Sequence, residues 1–434
     1  MTPSDARARI ALYGAGGSPF HHAAVFARAG HEVEFVFPED IRAGALAAFD
    51  AFVMPGGGYR AMAGQIDPLG SDGARAVREY VHGGGMYIGC CAGSYDAATV
   101  GEHFTRVCPA QKEMCLLDAQ VWNDGGEEWG LRSPGIGVLV VETADSAHPV
   151  TAGLPPTFEM AHYNGPLFVG AHALTRVVSR TDRFTPWEEM VGERPDRTLV
   201  DDAVAERIAN VVTGSAGEGR AVLFGSHPEF GFTIAMEDEQ LPARMLTNAI
   251  DWQLAESGAP ERPRVELFTD REPSEHDADP ARAAQLAERL RELTEAVRGR
   301  GTDARWLRPD AAMSFFGLSS VSIWEQSLDA IDRFSVDVEQ RAPHVEPRVL
   351  GFRPPFEWDL DGGYHGVVPL LEQSVDLLER TLASWDFDPG KTTNPYEHMH
   401  TSPYQLAAGS YLAAIGRVGA AALLSGAFER VPAA

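Results

Sequence analysis

An α/β fold, a mostly parallel sheet covered by helices, is expected for residues 1–256, with a smaller C-terminal α-helical domain after it. Three observations predict this. Short apolar, β-branched runs alternate with Ala-rich helical patterns up to about Glu256. Several of those runs end in Gly-rich turns, where open α/β sheets place their ligands. Beyond about residue 280 the strand pattern stops and helical periodicity takes over.

The chain has 434 residues, well past the ~250–300 at which a single core stops growing, so two domains are the expectation. Apolar residues make up 44% and charged residues 23%, the balance of a globular protein that folds unaided. Acidic residues outnumber basic ones by 62 to 36, for a net charge of −26. That field repels phosphate backbones and anionic head groups, which argues against nucleic acid and membrane surfaces as partners. The first residues, MTPSDARARIALYG, lack the basic end, apolar stretch and cleavage site of a signal peptide. The four cysteines, Cys90, Cys91, Cys108 and Cys115, have no zinc-site spacing, and a reducing cytoplasm is the expected setting.

Strands are expected at 10–13, 33–37, 51–54, 85–88, 138–141 and 221–224. The turns after the first, third and fourth are Gly14-Ala15-Gly16-Gly17, Pro55-Gly56-Gly57-Gly58 and Gly89-Cys90-Cys91-Ala92-Gly93, and they should converge on one crevice. Residues 257–279 shift to Pro, Glu, Asp and Arg and read as a linker carrying one short strand. The helical domain then spans 280–434. Asp279 as N-cap and Pro280 in the first turn open a helix to about Arg298, stopped by Gly299 and Gly301. Further helices are expected at 320–340, 366–385 and 403–428, the middle one with an apolar stripe of Leu371, Val375, Leu378, Leu382 and Trp385. The last is broken by Arg417 and rich in Gly and Ala, which suits a packed helix better than a membrane span.

Gly89-Cys90-Cys91-Ala92-Gly93 has the G-x-C-x-G form of a nucleophile elbow, a tight strand-to-helix turn that lifts one side chain clear of the sheet. The glycines flank Cys91 at two residues on each side, so Cys91 is the expected nucleophile and Cys90 a core thiol on the incoming strand. At a helix N-terminus the macrodipole and free N–H groups favour thiolate over thiol.

His227-Pro228-Glu229 follows the run 221–224. Proline holds the residue before it extended, and in an extended segment positions i and i+2 point the same way. Glu229 would then hold the His227 imidazole, leaving its other nitrogen for the Cys91 proton. Gly56 and Gly57 offer bare backbone N–H groups that, with that of Ala92, would form an oxyanion hole; a flexible strand-end loop is the alternative.

Taken together, MPGGG at 54–58, GCCAGS at 89–94 and SHPE at 226–229 resemble the class I glutamine amidotransferase superfamily. Within it, CAGSY at 91–95 and HYNGP at 162–166 are most similar to the N-terminal domain of eukaryotic-type biotin–protein ligases and its free-standing bacterial relatives. The resemblance covers about the first 250 residues. It implies a flavodoxin-like, doubly wound sheet and a Cys-His-Glu triad on Cys91, His227 and Glu229; no ligase catalytic domain follows. Ser94 and Tyr95 stand where glutaminases of the superfamily carry a glutamine, which opens the reading to a different amide, ester or thioester.

Tyr95, Tyr163 and Asn164 are candidates for shaping a substrate pocket, with a polar turn as the alternative for the last two. The first Gly-rich turn lacks the third glycine of a dinucleotide fingerprint, Pro19 standing in its place. His21 and His22 either line the same crevice or sit on the surface. His398 and His400 form an H-x-H pair without a third ligand, so no metal and no cofactor are expected. The function expected is a cysteine-dependent hydrolase or amidotransferase-like enzyme working through a thioester. A non-catalytic binding module and a glutaminase feeding ammonia to a partner are the alternatives. A small-molecule substrate is the expected ligand, and a second copy of the chain or a protein partner is assigned to the helical domain.

Overall fold

Among the described residues eleven strands form one sheet: β1 (Arg9–Tyr13), β2 (Glu32–Val36), β3 (Ala51–Met54), β4 (Met86–Cys90), β5 (Gln120–Val121), β6 (Gly135–Thr143), β7 (Thr157–Tyr163), β8 (Phe168–Val169), β9 (His172–Pro186), β10 (Ala209–Ala216) and β11 (Gly219–Phe224). Their order is β2-β1-β3-β4-β11-β10-β9-β6-β7, with β5 and β8 paired beside β10. The computed structural model describes residues 7–57, 63–124, 132–186, 198–232, 240–257, 262–270, 278–307, 324–354, 363–386 and 407–430. These residues divide into two compact units, one running to Phe268 with Gly363, the other beginning at Thr269.

The first unit has the expected α/β architecture. From β2 to β11 every pairing is parallel. β3 and β4 are buried along their whole length, as strands covered on both faces must be. All six expected strands form, each within three residues of its predicted start. The sheet is mixed, however, because β10, β9, β6 and β7 extend it with antiparallel pairings. Of these four only β6 is visible in the sequence. β9 has the half-exposed pattern of a strand with a wet face, and its run HALTRVVSRTDRFTP is too polar to read as a core strand. Helices α1 (Phe20–Arg28), α2 (Pro38–Arg42), α3 (Ala63–His82) and α4 (Ala92–Ala97) follow β1, β2, β3 and β4 in turn. Register positions the chemistry: Met54 pairs with Gly89 and Cys90 with Phe224, so β3, β4 and β11 end level and release their turns at one rim.

The segment expected as a linker with a short strand has no strand among its described residues. Phe268–Asp270 is a 3₁₀ turn, and the stretch before it is docked onto the first unit. Arg262 Nε reaches Asp50 Oδ1 at 3.0 Å, the Phe268 N–H donates to Asp40 Oδ1 at 3.0 Å, and its ring packs 5.0 Å from that of Phe37. Charge pairing and aromatic burial at these side chains override the local Pro and Arg signal.

In the second unit the Asp279 carboxylate accepts the Ala281 N–H at 2.8 Å and caps the helix Pro280–Arg298, as expected. Asp279→Ala should lower the stability of this unit by about 1 kcal/mol, read from its urea midpoint. Helices Trp324–Arg341, Val367–Ala383 and Ala407–Ala427 follow. The buried face of Val367–Ala383 is broader than the expected stripe. Leu370, Leu371, Ser374, Leu377, Leu378 and Thr381 are buried, whereas Val375 and Leu382 sit at its margin, because the helix meets two neighbours instead of one. Among the described residues no helix is long and apolar enough to cross a membrane. His398 and His400 lie outside the described residues, as does Gly58.

Candidate active site

Cys91 leaves the end of β4 with φ 48° and ψ −111°, a conformation that costs an L-residue about 1–3 kcal/mol and persists only where the surroundings enforce it. The enforcement is visible. The Cys91 N–H donates to the Phe224 carbonyl at 2.8 Å, and the Ser94 hydroxyl bridges the carbonyls of Gly89 (2.7 Å) and Phe224 (2.8 Å). Ser94 is therefore a clamp on the turn and makes no approach to a substrate. A Cβ on Gly93 would run into the Met54 carbonyl, and one on Gly89 would lie 2.6 Å from the Gly93 carbonyl, so the elbow closes only with glycine at both. Gly93→Ala should destabilise the first unit by about 1–3 kcal/mol, measured by urea unfolding.

The three Gly-rich turns do converge. The Ser18 N–H donates to the Gly56 carbonyl at 2.8 Å. A Cβ on Gly56 would collide with His227 Cε1 and lie 2.7 Å from Cys91 Cβ, so imidazole and thiol flank one bare glycine. Gly57 has φ +83°. Among the described residues, the N–H groups of Gly57 and Ala92 meet no hydrogen-bond acceptor. Cys91 itself is 7% exposed and its Sγ donates to the Tyr163 carbonyl at 3.3 Å.

His227 Nδ1 and Glu229 Oε1 are 2.7 Å apart and both side chains are buried. The local route differs from the extended segment expected: Pro228–Phe232 is a 3₁₀ turn, which curls Glu229 back toward the ring. Proline fits the first position of such a turn as readily as it fits a strand. The imidazole stacks on Phe230, centroids 4.1 Å apart and planes at 6°, and its backbone N–H donates to the Ala161 carbonyl at 2.8 Å. Burial alone would push His227 down, but the Glu229 carboxylate, the Cys91 thiol and hydrogen bonds to both hold it up to about 10. Burial likewise pushes Glu229 up, and the His22 and His227 imidazoles hold it down at about 2. The two groups form a buried ion pair.

Tyr95, Tyr163 and Asn164 come to the same rim, the Tyr163 ring lying edge-on to that of His227 with centroids 6.4 Å apart. The Tyr95 hydroxyl donates to the Asn164 carbonyl at 3.2 Å and accepts from Asn123 Nδ2 at 2.9 Å. Asn164 has φ 50°, and its Oδ1 accepts the Gly135 N–H at 3.1 Å. A Cβ on Gly165 would strike the Gly225 carbonyl, so the 162–166 turn presses directly on the segment leading to His227.

Several residues escaped sequence reasoning. His162 and Asn210 converge on the Ser226 hydroxyl, each at 2.8 Å, fixing the chain just before His227. His21 and His22 are buried, which overturns the surface alternative: His21 sits edge-on to Phe230 at 4.7 Å. Cys90 is the buried thiol expected, yet its Sγ lies 3.2 Å from His22 Nε2, a pairing across 68 residues that no local pattern signals.

The fold and this rim define an α/β domain with a cysteine at the tight turn between β4 and α4. More particularly, residues 46–106, which carry the MPGGG and GCCAGS motifs, match the family model described as the N-terminal part of biotin–protein ligase. No curated protein matches the chain. Among solved structures, a PurLQS chain from Thermotoga maritima is similar at 16% identity and a TM-score of 0.36, over 57% of this chain and 99% of that one. The glutaminase domain of CTPS from Trypanosoma brucei is similar at 15% identity and a TM-score of 0.32, over 59% of this chain and 97% of that one.

Proposed function

We propose that the first unit is a cysteine-dependent hydrolase or amidotransferase-like enzyme acting on a small amide or acyl compound. The observation that carries this reading is the placement of His227 between Glu229 and Cys91 at the rim where three Gly-rich turns meet. Cys91 Sγ attacks the substrate carbonyl as a thiolate whose proton already rests on His227 Nε2, in the imidazolium paired with Glu229. Glu229 holds the ring through Nδ1 and balances the imidazolium. The tetrahedral oxyanion meets the N–H groups of Gly57 and Ala92, with Gly56 giving the bare surface that lets it approach. Collapse expels an amine or alcohol carrying the proton from His227, and water or an amine then releases the thioester. None of these steps calls on a cofactor. A reduced Cys91 is required, which a cytoplasmic setting supplies, and the net charge of −26 keeps nucleic acid and anionic membranes away. The helical unit is then free to hold a second copy or a protein partner.

With p-nitrophenyl acetate as probe, the full chain should show a burst of p-nitrophenolate and an acetyl mass increment that peptide mapping places on Cys91. An increment confined to other residues, or no burst across neutral pH, overturns the reading.

A further inference from the structure

Behind Glu229 stands a second cluster that the triad chemistry does not use. His22 Nε2 from α1 is 3.2 Å from Cys90 Sγ on β4 and 3.7 Å from Glu229 Oε2. All three side chains are buried, and one donor atom from each falls within 4.8 Å of the others. Glu229 Oε1 is committed to His227, while among the described residues Oε2 faces the Cys90 thiol and the His22 imidazole. A buried carboxylate is costly unless something positive meets it.

We propose that His22 Nε2, Cys90 Sγ and Glu229 Oε2 form a binding site for a thiophilic divalent cation, zinc foremost. A tetrahedral ion bonded at about 2.0–2.1 Å to nitrogen and oxygen and about 2.3 Å to sulfur holds its donors roughly 3.3–3.6 Å apart, close to the 3.2 and 3.7 Å that separate His22 Nε2 from Cys90 Sγ and Glu229 Oε2. The charges also close. The carboxylate and the thiolate together match the charge of a dication. Forming the zinc–sulfur bond expels one proton, from Cys90 to solvent. Nitrogen, sulfur and oxygen donors of this kind favour zinc over magnesium or calcium, which take oxygen.

Binding on Oε2 withdraws carboxylate charge from His227, which shares the same Glu229. The cation therefore acts as an off-state for the Cys91 chemistry; this consequence alone rests on the proposed enzyme reading, and the binding itself does not.

Cobalt(II) titration of the full chain tests the site without any substrate. One equivalent should bind with a sulfur-to-cobalt charge-transfer band, and zinc should displace it. Cys91→Ala should keep the band, as should the unsubstituted chain after its Cys91 is alkylated with iodoacetamide. Cys90→Ala and His22→Gln should lose it, and zinc affinity should fall by at least ~100-fold in both. Circular dichroism identifies a variant that fails to fold, and the alkylated chain then decides, since it needs no substitution. No bound cobalt, a band that survives in folded Cys90→Ala, or a band that vanishes when Cys91 is blocked would each overturn the proposal. A chain that binds cobalt this way but gives no p-nitrophenolate burst would keep the metal site and end the enzyme reading.

Discussion

Replacing Cys91 with alanine will reduce turnover of p-nitrophenyl acetate by at least ~10³-fold, with the fold intact. The size of the effect follows from covalent chemistry: without the thiol, no thioester forms, and only the oxyanion donors and binding remain to act on water. Cys90 cannot take over. Its Sγ is fully buried toward His22, whereas Cys91 Sγ lies at the Tyr163 carbonyl, on the rim with His227. The Cys91 backbone is held by the Phe224 carbonyl and the Ser94 clamp, neither of which involves the thiol, so the near-ultraviolet circular dichroism of the variant should match that of the unaltered chain. Residual burst in Cys91→Ala above a tenth of the original would place the nucleophile elsewhere.

Glu229→Gln is the second large effect. It leaves the shape of the side chain but removes the charge from a buried ion pair, which costs about 3–5 kcal/mol when one partner is lost. A melting temperature lower by roughly 10 °C should follow for a unit of this size. Turnover should fall by on the order of 10⁴-fold, because the imidazolium that faces Cys91 and later protonates the leaving group loses its counter-charge. The pH dependence has a definite sign. His227 is raised from 6.5 to about 10, so its contribution to stability is full below pH 6.5 and is lost as pH rises through 10. Glu229 is lowered from 4.5 to about 2, so its contribution is full above pH 4.5 and is lost as pH falls through 2. The stability gap between the unaltered chain and Glu229→Gln should therefore be widest between pH 4.5 and 6.5 and narrow on both sides. Urea unfolding across that range reads it directly, and a gap independent of pH would show that the pair is not ionised.

Much of the site is legible in the residues because its signals are local. The two glycines framing Cys91, the Gly-rich ends of the runs at 10–13 and 51–54, and the His-Pro-Glu step each encode a backbone turn in a few consecutive positions. Even the error over Pro228 left Glu229 beside His227, since a strand and a 3₁₀ turn both bring these positions together.

Strand identity in the parallel half, the tight turn at Cys91 and the closeness of His227 to Glu229 were legible in the order of residues alone. Only the tertiary structure decided that β10, β9, β6 and β7 extend the sheet, that the 162–166 turn presses on the approach to His227, and that His22 meets Cys90 and Glu229 behind the triad. The physical reason is range. Dihedral preference and hydrophobic period act over a few residues and leave their mark in the chain, whereas the contacts of His22 with Cys90 and of His162 with Ser226 span 68 and 64 residues, and the place of each antiparallel strand depends on which strand lies next to it.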